Sequence, residues 1–207
     1  SGDLDGYVFA LSPSGEYLLF TRNSKKPKEE QINTLWVVRT KGSSSPQAVS
    51  GAANIVHFAG WAPNTTPTFG YTTVEPRAAA PGWQANNYRV SMSGGAPTTP
   101  RKLLETNSGG IYGWWGITFA WGSDGRLVYA RPDEIGIVDQ ENGFLRPLLE
   151  ITPLQTNSDW AWIPPMVWGT EARTLFVVTH APAPAPLTAE GSPYFDLTAV
   201  SMINDAT

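Results

Sequence analysis

One phrase recurs four times along this chain of 207 residues. Each copy contains an apolar or aromatic residue, a tight polar turn, a short run typical of a β-strand and a second apolar run. The turns with their leading residues lie at 11–15, 61–63, 121–125 and 168–170. Successive copies are about 47 to 60 residues apart, which is the spacing of propeller blades built from four strands. The repeat therefore predicts an all-β fold.

The third copy shows the pattern of such a blade most clearly. Short apolar runs bounded by turn residues predict strands at 117–121, 127–130, 135–138 and 145–150. Ser123-Asp124-Gly125 supplies the turn between the first and second strands. Glu141-Asn142-Gly143 supplies the turn between the third and fourth strands. These four strands make one complete antiparallel meander.

The same template, applied to the whole chain, predicts a β-propeller of four-stranded antiparallel blades with about four blades visible. The expected blades cover 7–50, 54–105, 111–151 and 160–207. The last blade lacks an outer strand in this prediction, so we expect a single propeller region over 1–207 that is partial or four-bladed.

Composition narrows the classes of partner. A formal net charge of −4 supplies no basic surface for phosphates, which argues against nucleic acid. No apolar run reaches the eighteen or so residues that a membrane span needs.

The chain has no cysteine and two histidines, so neither a metal site nor a cofactor is predicted. Its 18 prolines, 20 glycines and 15% charged residues favour an extracytoplasmic protein, whether periplasmic, cell-surface or secreted.

The repeated phrase resembles the WD40-like repeats of the TolB type, called PD40 repeats, which also build propeller domains attached to prolyl oligopeptidase-like peptidases. The resemblance is carried by Ser12-Pro13-Ser14-Gly15 and by Gly122-Ser123-Asp124-Gly125 with Ile137-Val138-Asp139. It covers almost the whole chain and implies a propeller scaffold, whose motifs carry no catalytic residues. Members of this group usually have six or more blades. Three arrangements therefore stay open: a longer polypeptide, which we favour, a four-bladed ring, or closure against another chain.

The repeat separates the nine tryptophans into two groups. Trp61, Trp121 and Trp168 share one position on the innermost strand and are predicted to pack between blades, as is Trp36 on a third strand. The other five lie in loops that emerge at one rim of the blades: Trp83, Trp114, Trp115, Trp160 and Trp162. The polar residues expected at the same rim are His57, His180, Glu75, Arg77, Asp133, Glu134 and Asp159.

A rim rich in tryptophan suits stacking on sugar rings or a contact with a protein. The alternative is that these loops fold inward and seal the blade junctions. No catalytic residue is assigned, because residues 122–125 form a hairpin turn and lack the Gly-x-Ser-x-Gly spacing of a nucleophile elbow. The leading hypothesis is a non-catalytic scaffold that binds a protein or carbohydrate. The alternatives are the propeller portion of a larger hydrolase or lyase, and a structural subunit of a multi-chain assembly.

Overall fold

The computed structural model describes residues 9–24, 32–63, 66–76, 83–106, 118–151, 163–180 and 195–203. These residues form four antiparallel sheets and one short 3-10 turn, Thr170–Ala172. The chain divides into two compact units. The first comprises Ser1–Glu75 and Asn86–Glu105, and the second comprises Pro76–Ala85 and Thr106–Thr207. The described residues contain no helical segment with the length and hydrophobicity of a membrane span.

The first two sheets belong mainly to the first unit. The first sheet consists, in chain order, of β1 (Phe9–Leu11), β2 (Tyr17–Asn23), β3 (Asn33–Arg39) and β4 (Gln47–Ala53). The second consists of β5 (Ile55–Trp61), β6 (Thr68–Pro76), β7 (Trp83–Ser93) and β8 (Ala96–Pro97), with β9 (Arg101–Thr106) also paired to β7. Its outer strand is thus split in two, where the template predicts one strand. Pro97 and Pro100 explain the break, because proline has no N–H to give to the ladder.

The third and fourth sheets lie in the second unit. The third consists of β10 (Thr118–Trp121), β11 (Leu127–Ala130), β12 (Glu134–Val138) and β13 (Leu145–Glu150). The fourth consists of β14 (Met166–Trp168), β15 (Thr174–His180) and β16 (Phe195–Ser201). The predicted all-β fold class is confirmed. The strands of the third sheet match their predicted bounds within one residue, and the fourth sheet has three strands among the described residues, as expected.

Glycine at a fixed place ends the first turn of two copies. Gly15 and Gly125 have φ angles of 71° and 86°, which glycine adopts without steric cost. In each turn the glycine N–H donates to a carbonyl three residues earlier, that of Ser12 or Gly122, at 2.8 and 2.9 Å. The polar turn of the repeat therefore reverses the chain between the first and second strands.

The core of the first unit forms where the second sheet covers one face of the first. Leu19, Leu35 and Val37 of the first sheet are at most 1% exposed. They pack in one cluster with Trp61, Phe69, Tyr71 and Val90 of the second sheet. We call the face that the following sheet covers the trailing face, and the opposite face the leading face.

The second unit repeats this packing. Val128, Ala130, Ile135 and Ile137 form the trailing face of the third sheet and are at most 9% exposed. Leu175, Val177 and Met202 of the fourth-sheet region pack against them and are fully buried. Full burial of a side chain of this size stabilises a fold by about 1.5 to 3 kcal/mol. Stacking of consecutive sheets is therefore the main source of stability in each unit.

Tryptophans at one repeat position close both junctions. The indole Nε1 of Trp61, at the end of β5, donates to the carbonyl of Ala10 in β1 at 2.7 Å. The indole Nε1 of Trp168, at the end of β14, donates to the carbonyl of Ala120 in β10 at 3.3 Å. Ala10 and Ala120 are themselves equivalent, because each is the last residue before the repeat position of its sheet, which is Leu11 or Trp121. The prediction that Trp61 and Trp168 pack between blades is confirmed.

The other two tryptophans of that group behave differently. Trp121 is half-buried, and its buried Nε1 has no hydrogen-bond partner among the described residues. Trp36 is also half-buried, with Arg22 4.7 Å above its ring. Its Nε1 donates to Thr34 Oγ1 within the same strand at 2.9 Å. Trp36 therefore makes local contacts, whereas Trp61 and Trp168 join two sheets.

Arg126 adds a second link in the second unit. Its side chain leaves the third sheet just after the β10–β11 turn and lies 5.3 Å from the centroid of the Trp168 ring. Its guanidinium donates to the carbonyls of Met202 and Ala172 at 2.9 and 2.7 Å. One cation thus satisfies two backbone acceptors of the neighbouring sheet.

Replacing Trp61 by phenylalanine keeps an aromatic ring in the first junction but leaves the Ala10 carbonyl without its indole donor. We expect Trp61→Phe to lower the free energy of unfolding by about 1 to 3 kcal/mol. Trp36→Phe is the matched control and should cost less, because its indole bonds a side chain on its own strand. Urea denaturation measures both variants. Equal losses would contradict the assigned role of the indole bond.

Candidate functional site

The structure describes only part of the predicted rim. Six of its residues lie outside the described ranges: Arg77, Trp114, Trp115, Asp159, Trp160 and Trp162. The backbone, but not the side chain, is described for two more, with His57 inside β5 and Trp83 at the start of β7. Glu75, Asp133, Glu134 and His180 are described in full. The rim as a binding site stays a prediction.

All four of these residues lie near the end of a sheet where its second strand leads into its third, which we call the rim end. Glu75 is the penultimate residue of β6, and His180 is the last residue of β15. Asp133 and Glu134 lie at the short connection from β11 to β12. In three sheets, the described rim end therefore carries titratable side chains.

At the rim end of the second sheet, Glu75 accepts two hydrogen bonds. Thr73 Oγ1 and Tyr88 Oη both donate to its Oε1, each at 2.9 Å. The Tyr88 ring stacks on that of Tyr71, with centroids 5.2 Å apart, and Lys102 Nζ lies 5.8 Å from the Tyr88 centroid. Burial, followed by the hydrogen bond to Glu75, raises the pKa of Tyr88. The phenol of Tyr88 therefore stays a donor across the neutral range.

The third sheet has a closely related cluster. Tyr129, which is fully buried, donates its Oη to Glu134 Oε1 at 2.7 Å. Arg131 pairs with the same carboxylate oxygen and lies 3.7 Å from Asp133 and 5.8 Å from the Tyr129 ring centroid. Burial, and next the bond to Glu134, raises the pKa of Tyr129. A tyrosine and a glutamate thus meet at the rim end of two sheets.

Gly136 makes room for this tyrosine. It lies directly opposite Tyr129 in the β11–β12 register. A β-carbon at residue 136 would be 2.7 Å from Tyr129 Oη and would clash with the backbone oxygen of Arg146. Only a residue without a side chain fits there, which fixes the tyrosine beneath the rim end.

The fourth sheet carries His180 at its rim end. Its ring meets that of Phe195, its cross-strand partner, edge to face with centroids 5.8 Å apart. Its Nε2 is buried and has no hydrogen-bond partner in the part of the chain that the structure describes. Among the described residues, no group of three or more His, Cys, Asp or Glu could hold a metal ion. The described rim ends therefore offer hydrogen bonds, charge and aromatic rings.

A cavity that the sequence did not predict opens at the other ends of the strands in the first unit. It has a volume of about 210 Å³, and its lining includes Tyr17, Arg39, Ser44, Ser45, Gln47 and Gly95. Arg39 lies 5.7 Å from the Tyr17 ring centroid and 3.7 Å from Glu16. The sequence did not predict this cavity because residues of two different sheets form its wall. In the sequence, Gly94-Gly95 indicates a turn and nothing more.

The fold of this chain is similar to that of several solved structures. The chain is similar to TolB from Acinetobacter baumannii, with a TM-score of 0.52 and 17% identity over 86% of this chain and 38% of that one. It is similar to a puromycin hydrolase mutant complexed with PGG, with a TM-score of 0.54 and 16% identity over 95% of this chain and 27% of that one. It is also similar to a Mycobacterium tuberculosis puromycin-hydrolyzing peptidase, with a TM-score of 0.51 and 19% identity over 88% and 26%.

These likenesses show a TolB-like β-propeller fold and, at such low identity, the fold alone. The chain spans about a quarter to two fifths of the length of these structures. No family model and no curated protein matches the sequence.

The raised pKa of Tyr129 predicts a loss of stability in alkali. In the unfolded chain a phenol loses its proton near pH 10, whereas the folded chain retains it, so deprotonation favours unfolding as pH rises. The free energy of unfolding should therefore be level up to about pH 9 and fall above about pH 10. Tyr71 and Tyr88, whose pKa values are also raised, act in the same direction.

Tyr129→Phe isolates this contribution. The variant should be less stable than the wild type at pH 7 by about 1 to 3 kcal/mol, because a hydrogen bond to a carboxylate is lost. Its stability should also fall less steeply above pH 10. Urea denaturation at a series of pH values checks both effects, and an unchanged alkaline slope would contradict the assignment.

Proposed function

We propose that this chain is a non-catalytic β-propeller module that recognises a protein or carbohydrate through the loops at the rim end of its sheets. The recognition would rest on stacking against tryptophan rings and on hydrogen bonds from polar side chains that rigid strands hold in place. The residues assigned to this recognition are the rim residues predicted from the repeat. They include Glu75, Trp83, Trp114, Trp115 and His180.

One observation carries this proposal: an aromatic ring and a titratable side chain meet at the rim end of three sheets. The pairs are Tyr88 with Glu75, Tyr129 with Glu134, and Phe195 with His180. The apolar trailing faces of the first and third sheets are buried by stacking, and the polar side chains of these pairs lie at strand ends. Tyr129 is fully buried and serves to hold Glu134 in place, whereas Phe195 is 45% exposed. An exposed surface that mixes aromatic and polar groups suits protein hot spots and sugar binding.

Three further assignments belong to the same proposal. The repeats are of the PD40 type, which the two glycine-ended turns support. The two compact units together make one propeller region. The protein acts outside the cytoplasm, which its 18 prolines, 20 glycines and 15% charged residues support.

A second function is favoured by the structural likenesses. Two of the similar structures are puromycin-hydrolysing enzymes, of whose chains this sequence covers 27% and 26%. The chain would then be the propeller portion of a larger hydrolase, with the reaction carried by other residues. Both functions predict that the 207-residue chain alone releases no chromophore from a chromogenic aminoacyl substrate. Sequencing the reading frame that encodes this chain separates them, because a hydrolase domain in the same frame would establish the second function.

The binding proposal predicts the effect of removing two rim tryptophans. The labelled wild-type chain is applied to arrays of glycans and of extracellular proteins, and Trp114→Ala/Trp115→Ala is applied in parallel. Loss of two aromatic contacts should weaken binding to the ligands found by at least about tenfold, which equals 1.4 kcal/mol. The thermal midpoint should stay nearly unchanged.

Phe144→Ala is the matched control. Phe144 is 72% exposed and lies between β12 and β13, at the strand ends opposite the rim end, so its removal should leave binding unaffected. A large drop in the thermal midpoint of the double variant would show that these tryptophans belong to the core. Equal loss of binding in the control would contradict the assignment to the rim.

A further inference from the structure

The fourth sheet has a trailing face like those of the first and third sheets, but nothing described covers it. Strand registers define the equivalent positions. Ala10, Leu19, Val37 and Leu35 correspond to Ala120, Val128, Ile137 and Ile135, and both sets correspond to Val167, Phe176, Ala199 and Leu197. All twelve residues are apolar. The face therefore carries the same pattern in all three sheets.

Burial distinguishes the fourth sheet from the other two. Leu35 and Ile135 are fully buried under the sheet that follows them, whereas the equivalent Leu197 is 71% exposed. At the inner strand, Val167 is 63% exposed. Phe176, between them on β15, is 36% exposed, although its equivalents in the other sheets are fully buried. A contiguous apolar surface of this kind marks a site of association.

The leading face of the first sheet offers a matching surface at the end that carries Leu11, whereas Phe20 at its other end is 4% exposed. Trp61 is 8% exposed at the position where the second sheet meets the first, and Trp168 closes the other junction in the same way. The residue at this position in the first sheet is Leu11, which is 60% exposed. Its neighbours on that face, Leu18 and Val38, are half-buried. The chain thus presents both halves of a sheet junction.

We propose that the trailing face of the fourth sheet binds the leading face of the first sheet of a second copy of this chain. Copies would then associate head to tail, with Leu11 seated on Val167 and Phe176 as Trp61 is seated in the first unit. This contact joins two different surfaces, so it either closes into a ring or extends. Leucine cannot supply the indole N–H that the internal junctions have, which makes this contact weaker than they are.

Light scattering after size exclusion, over a range of concentrations, tests the proposal. The wild type should show a mass of at least twice that of one chain, and dilution should lower it. Leu197→Lys and Leu11→Asp should each lower the tendency to associate by at least about tenfold, since a charge would be buried against an apolar face. Phe144→Lys changes an exposed aromatic residue elsewhere and should associate like the wild type. A wild type that is monomeric at all concentrations overturns the proposal.

Mixing the two variants tests the head-to-tail geometry. The Leu11→Asp variant keeps an intact trailing face on its fourth sheet. The Leu197→Lys variant keeps an intact leading face on its first sheet. An intact junction can therefore form only between one copy of each variant. The equimolar mixture should therefore contain a dimer that neither variant forms alone. If Leu11→Asp still dimerises alone, two trailing faces or two strand edges meet instead, and the proposal is wrong. Val167→Lys replaces Leu197→Lys should that variant have a lowered thermal midpoint.

Discussion

The first and third sheets in this chain each have an apolar trailing face that another sheet covers. A four-stranded sheet with one such face open to water is only marginally stable, because each exposed large side chain forgoes about 1.5 to 3 kcal/mol of burial. Leu19 and Leu35 in the first unit, and Val128 and Ile135 in the second, are fully buried by this stacking. The repeat is therefore the physical unit of the fold, because no copy satisfies its own core.

The indole bonds at Trp61 and Trp168 set how one sheet meets the next. An indole N–H that reaches a backbone carbonyl of the neighbouring sheet needs that sheet at one depth and one angle. Packing of Leu and Val side chains is less directional. The tryptophans thus add orientation to junctions whose stability comes mainly from apolar burial. Because these sheet faces are buried against each other, the strand ends and loops are the parts of these sheets that can contact a ligand.

The sequence predicted the third sheet well because each of its turns has residues that reverse the chain only in one way, notably Gly125 with its positive φ. It also predicted that Trp61 and Trp168 join sheets, because they share a repeat position. The same prediction for Trp36 was wrong in this respect, since its indole bonds a side chain on its own strand. The split of the outer strand at Pro97 was missed, since the template assumed one strand there. The indole acceptors, Ala10 and Ala120, could not be predicted, because an acceptor carbonyl has no sequence signal.

The candidate site was predicted less completely than the fold. Glu75 and His180 were placed at the rim end from topology alone, yet their partners Tyr88 and Phe195 come from the next strand and depend on its register. The cavity beside Arg39 was missed for a similar reason, since two sheets build it. Single positions follow from the repeat, whereas contacts between strands and sheets follow only from the folded chain.

The most direct test of this account is hydrogen exchange at the tryptophan indoles, measured by NMR on chain labelled with ¹⁵N at tryptophan. The signals of Trp61 and Trp168 are identified by their disappearance in single phenylalanine variants. Both should persist in deuterated water far longer than that of Trp36, because each N–H is bonded to a carbonyl inside a sheet junction. Exchange of Trp61 and Trp168 as fast as that of Trp36 would contradict the claim that indole bonds close the junctions.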